Sequence, residues 1–120
     1  MNEFLQKECV SLEHAEGLKD LGFNEPYCIG YYENGLLNHN DAFHTNESFT
    51  SISESLGDVS LITAPTFQQA FRWIRDTFGH HHIALFNRFY VDRMFTFEVA
   101  ENRALSELID TIKERKTNEV

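Results

Sequence analysis

Three groups of residues in this chain carry side chains able to do chemistry. They are the run His80-His81-His82, the group Arg72-Trp73-Ile74-Arg75, and the two cysteines Cys9 and Cys28. The histidine run suggests a metal. On a strand, His80 and His82 point one way and His81 the other, so at most two of them can hold one ion. A further ligand must come from elsewhere, such as Asp76, His44 or Asp92, and no H-x-x-x-H or C-x-x-C spacing supports the set. The competing reading is a polar start to an exposed edge strand. Nucleophilic chemistry has less support. Cys28 lies in an apolar stretch with no cation or helix start beside it in sequence to make a thiolate. The serines lack a nucleophile-elbow pattern. Glu13/Glu16 and Asp110/Glu114 have the spacing of solvated helix surfaces, and Gly30 and Gly35 belong to a hairpin rather than a phosphate loop. The sequence therefore assigns no catalytic residue and no cofactor, and leaves His80 and His82 as metal candidates only.

The arginine–tryptophan group offers more. Arg and Trp are enriched at binding hot spots because they combine flat area with directional donors. Gln68 and Arg72 are one helical turn apart and Arg75 follows a turn later. With Trp73 they make a candidate surface for a small anionic ligand, a nucleotide-type signal or an acidic patch on a partner protein. Tyr32 joins the candidates because it shares a strand face with Gly30, where the missing side chain lets a backbone or ligand approach closely. The competing reading packs Trp73 under a long loop and pairs the arginines with Asp76 and nearby Glu residues.

Stepping outward from these residues, Thr66 and Gln69 have the spacing of a capping box, and Gly79 stands where a helix stops. They bound a helix over Phe67–Phe78 whose core stripe is Phe67, Ala70, Phe71, Ile74 and Phe78, with Trp73 off the stripe. Ser11 predicts a helix over Leu12–Leu21, stopped by Gly22 with Phe23 folding back. Asn34-Gly35 predicts a type I′ hairpin within Tyr27–Leu37. Residues 38–58 read as a long polar loop anchored by Phe43, Phe49, Ile52 and Leu56. A strand at Val59–Ile62 follows, and an antiparallel pair is expected over His80–Phe86 and Phe89–Phe95. Thr96 caps a final helix from Phe97, with Thr117–Val120 fraying. The expected fold is α+β: an antiparallel sheet of four to five strands with three helices, mostly on one face, in the order α-β-β-β-α-β-β-α. No linker or repeat divides residues 1–120, so a single domain is expected.

Composition narrows the partners. Eleven phenylalanines make the core largely aromatic, and a formal charge of −9 opposes binding to nucleic acid. Two cysteines do not make a disulfide framework, and neither a signal peptide nor an apolar run of the ~20 residues needed to span a bilayer is visible. The expectation is a cytoplasmic protein with reduced thiols.

Three segments together resemble a known family. They are Leu18-Lys-Asp-Leu-Gly-Phe-Asn-Glu-Pro26, Thr63-Ala-Pro-Thr-Phe-Gln-Gln-Ala-Phe-Arg-Trp-Ile-Arg75, and Thr96-Phe-Glu98 continuing through Leu108-Ile-Asp-Thr-Ile-Lys113. Their order and spacing resemble a family of small uncharacterised proteins of Bacteroidetes and their phages. The resemblance covers most of the chain outside residues 38–58, and its middle segment is the specific one. It implies a phage or mobile-element setting, in a host cytoplasm, and no assigned activity. The expectation is a non-catalytic, homo-oligomeric binding protein that sequesters a host factor or a nucleotide-like signal. The alternatives are a small metal-dependent hydrolase using His80 and His82, or a phage structural or assembly protein.

Overall fold

The computed structural model describes residues 3–78 and 97–118, with side chains over residues 5–78 and 102–114. The chain forms two compact units, Met1–Phe67 and Gln68–Val120. The first holds helix α1 (Glu3–Glu8), helix α2 (Leu12–Asp20), strands β1 (Gly30–Glu33) and β2 (Leu36–His39), helix α3 (Asn46–Leu56) and strand β3 (Leu61–Ala64). Helix α4 (Phe67–Phe78) starts at the boundary, and α5 (Phe97–Asn118) follows in the second unit.

The local signals in α2 act as their chemistry requires. The Ser11 hydroxyl accepts from the His14 N–H, satisfying one of the unpaired donors of the first turn. At the other end Gly22 adopts φ +99°, the Phe23 N–H donates to the Leu18 carbonyl at 2.9 Å, and the Gly22 N–H donates to Lys19 at 3.0 Å. This is the Schellman arrangement, and Phe23 is driven into the interior as its hydrophobic contact. Burying that ring fully is worth about 1.5–3 kcal/mol.

Asn34 (φ +49°) and Gly35 (φ +87°) make the hairpin turn between β1 and β2. Both central residues have the positive φ that a type I′ turn demands. Asn34 also ties the turn to the start of β3: its N–H donates to the Ser60 carbonyl, and its side-chain oxygen accepts from the Ser60 N–H, both at 2.9 Å. The sheet is antiparallel, in the order β2-β1-β3. Tyr32 sits opposite Leu37 and Ile62, and Tyr31 opposite Asn38 and Thr63, so the two tyrosines mark opposite faces.

Both faces are covered, where helices on mostly one face were expected. Leu5 of α1 and Cys9 pack with Ala64, Tyr32 and Leu37 on one side. On the other, Phe49 of α3 stacks on Tyr31 with ring centroids 5.0 Å apart. Helix α3 replaces most of the loop expected over 38–58. Thr45 caps it by accepting from the Ser48 N–H, and Phe49 is its buried anchor. The abundance of Ser, Thr and Asn that suggested a loop instead supplies the cap and the solvated face. Ile52 is half-buried, while Phe43 and Leu56 are exposed, so the latter two anchor nothing.

The α+β class with an antiparallel sheet is present. The described residues hold three strands and five helices rather than four to five strands and three helices. Besides α3, the unanticipated helix is α1, whose short run gave too few apolar positions to show a period. The expected pair over His80–Phe86 and Phe89–Phe95 lies outside the described residues. Helix α4 has the bounds its sequence predicted, and α5 begins at Phe97 as expected and runs to Asn118, beyond which the terminus lies outside the described residues. Ala104, Leu105, Leu108, Ile109 and Ile112 form its buried stripe.

Candidate functional site

Helix α4 buries Phe67, Ala70 and Ile74, which turns its remaining positions outward. Gln68, Arg72 and Arg75 recur at turn spacing and form one exposed strip. Arg75 donates from Nε to the Asp76 carboxylate at 3.2 Å, an exposed pair of little energetic weight. Arg72 is exposed and makes no ion pair among the described residues.

Trp73 is half-buried and lies on the other margin of the stripe, roughly 100° around the helix from Arg72. Its indole meets the Phe78 ring edge-on, with centroids 5.5 Å apart at 87°. The three arginine–tryptophan residues that are neighbours in sequence are thus divided. Gln68, Arg72 and Arg75 come together, and Trp73 leans toward Phe78 instead. Consecutive helix positions do not share a face, which is why adjacency in the chain overstated the cluster.

Tyr32 belongs to the first unit, in β1. Its hydroxyl donates to the Val10 carbonyl at 2.9 Å, and burial, with Cys9 nearby, pushes its pKa up. The space left by Gly30 is taken by the chain itself. A Cβ there would lie 3.0 Å from the Cys9 sulfur and 3.2 Å from Leu37. Cys9 and Cys28 are free, buried thiols. Burial, then Cys28 and Glu8, raise the Cys9 pKa to about 12. Burial raises that of Cys28 to about 11, with the Thr63 hydroxyl pulling it down and Glu25 pushing it up. Such thiols are not nucleophiles near neutral pH.

No group of three potential metal ligands occurs among the described residues, and His80 and His82 lie outside them. Of the further ligands considered, Asp76 is engaged by Arg75, His44 Nδ1 lies 2.8 Å from the Ser48 hydroxyl, and Asp92 is outside the described residues.

A second feature was not anticipated. Two loops, 23–29 and 40–45, lie side by side, fastened by asparagines. Asn40 donates from its N–H to the Ile29 carbonyl, and its side chain bonds His44 through both the His44 N–H and carbonyl. Asn46 donates to the Phe23 carbonyl at 2.8 Å and accepts from the Thr63 N–H at 2.9 Å. Asn24 accepts from the Glu47 N–H and donates to its carboxylate. On this frame Tyr27 and Phe43 meet edge to face, with centroids 5.6 Å apart, while remaining 70% and 51% exposed. Each has a left-handed backbone, at φ +67° and +52°, unusual for bulky residues. That conformation at Tyr27 breaks the extended run expected from Tyr27 and delays β1 to Gly30.

The charge is divided as sharply as the chain. Met1–Phe67 contains eleven Asp and Glu against two Lys, and Gln68–Val120 eight of each sign, so the first unit accounts for the whole −9. No Lys or Arg occurs between Lys19 and Arg72. That gap is visible in the sequence and is the one signal that could have drawn attention to this region.

No protein-family model, curated protein or solved structure matches the chain. No helix among the described residues is long and apolar enough to cross a membrane.

Proposed function

We propose that this chain is a non-catalytic binding protein of phage type, active in the host cytoplasm, that sequesters a host factor or a nucleotide-like signal through the outer strip of α4. The observation that carries the reading is Arg72, exposed one turn from Gln68 and without an ion pair among the described residues. The planar guanidinium of an exposed arginine is suited to clasp a phosphate or carboxylate in a two-pronged hydrogen bond. Gln68 and Arg75 extend the row of donors along the helix. The resemblance of the Thr63–Arg75 segment to proteins of Bacteroidetes and their phages supplies the setting, and homo-oligomerisation is part of the same proposal.

Calorimetric titration with cyclic di-AMP, cyclic di-GMP and ADP-ribose tests the nucleotide form directly. Binding of at least one is expected, weakened about tenfold or more by Arg72→Ala, the scale of one hydrogen bond to a charged group. Uniformly flat traces contradict it.

A further inference from the structure

We infer that the exposed Tyr27–Phe43 pair is a docking platform for a lysine- or arginine-bearing segment of a partner protein. This surface belongs to the first unit, whereas Gln68, Arg72 and Arg75 of α4 belong to the second.

The two rings stand edge to face at 5.6 Å, and both remain largely open to water. Isolated exposed aromatics are common, but a pair held together on two different loops, with ring planes inclined at 64°, presents one continuous apolar surface. The frame beneath it is built from the hydrogen bonds of Asn40, Asn46 and Asn24, so the rings are presented by an ordered support. The choice of occupant follows from charge. Exposed Glu25 stands two residues before Tyr27, and exposed Asp41 two residues before Phe43. The segment from Asp20 to Phe71 contains no Lys or Arg to neutralise them. Aromatic faces attract cations through their quadrupole, and nearby carboxylates add to that attraction. A lysine or arginine stem also covers ring surface with its methylenes while its charged end reaches the carboxylates. A second copy docking by the same face would bring Glu25 and Asp41 of each copy toward like charges, which disfavours that occupant.

Fluorescence anisotropy tests this with a labelled octapeptide of alternating Lys and Gly, and with its acetyl-lysine counterpart. Wild-type protein is expected to bind the lysine peptide at least tenfold more tightly than the acetylated one. Tyr27→Gly and Phe43→Gly should each weaken binding about tenfold or more, whereas Tyr27→Phe and Phe43→Tyr should retain it. Glycine relieves the left-handed backbone, so the glycine variants should melt at the same temperature as wild type or higher. That result separates a recognition role from a packing role. Equal affinity for both peptides, or unchanged affinity in the two glycine variants, overturns the proposal. So does light scattering showing a wild-type oligomer that the glycine variants dissolve, because a second copy would then occupy the face.

Discussion

At Asn46 one carboxamide satisfies two buried backbone groups, the Phe23 carbonyl and the Thr63 N–H, which lie 23 and 17 residues away in sequence. Neither group can reach water when the amide is removed. Asn46→Ala should therefore cost about 2–4 kcal/mol, since each orphaned polar group carries its own desolvation penalty. Urea unfolding would show this, and a loss below about 0.5 kcal/mol would contradict the clamp. The thiols make a different prediction. Cys9 and Cys28 ionise near 12 and 11 in the folded chain, against an ordinary value of 9.0. Folding favours their protonated form, so that contribution is intact below pH 9 and is lost as pH rises through the folded values. Urea midpoints should fall as pH rises from about 9 toward 12, and Cys28→Ala should reduce the fall. Thiol reagents should label the native protein slowly until it unfolds. None of this was evident from Cys9 and Cys28 alone, because a thiol's environment is set by residues distant in the chain.

Elements explain why parts of the fold were legible and others were not. Helices α2 and α4 carry their own boundaries in Ser11, Gly22 and the Phe67–Phe78 period, and the Asn34-Gly35 turn needs only two adjacent residues. Such local signals survive in any tertiary context. Helix α3 was missed because its apolar stripe is nearly reduced to Phe49, and its stability comes from the Thr45 cap and from packing on Tyr31. Thr45→Ala should destabilise the protein by about 1 kcal/mol, as loss of an N-cap usually does. A thermal melt unchanged by that substitution would deny the cap its role. Gly30 was legible as a close approach but not as to what approaches. With Cys9 and Leu37 within 3.2 Å of a new Cβ, Gly30→Ala should cost about 1–3 kcal/mol through overpacking. Chemical denaturation checks this, and a neutral result would mean that the neighbours move aside freely. The candidate site followed the same logic: the helix and the roughly 100° between Arg72 and Trp73 were readable, but that the indole leans on Phe78 was not.

At the scale of the whole molecule, charge is the organising fact. One unit holds the entire formal charge of −9, and the other is neutral while containing Arg72 and Arg75. The overall acidic composition weighed against nucleic-acid binding, and its confinement to one unit lets the same chain offer surfaces of opposite preference. Raising salt should weaken the lysine peptide's binding, because exposed charges are screened beyond about 8–10 Å at physiological ionic strength. Crossed titration is the most direct measurement: whichever of cyclic di-AMP, cyclic di-GMP and ADP-ribose binds the wild type, and the Lys-Gly octapeptide, each against Arg72→Ala and against the Tyr27→Gly/Phe43→Gly double variant. Arg72→Ala should weaken only nucleotide binding, about tenfold or more, and the double variant should weaken only peptide binding. If either variant removes both activities, or neither variant changes either, the assignment of recognition to these two surfaces is wrong.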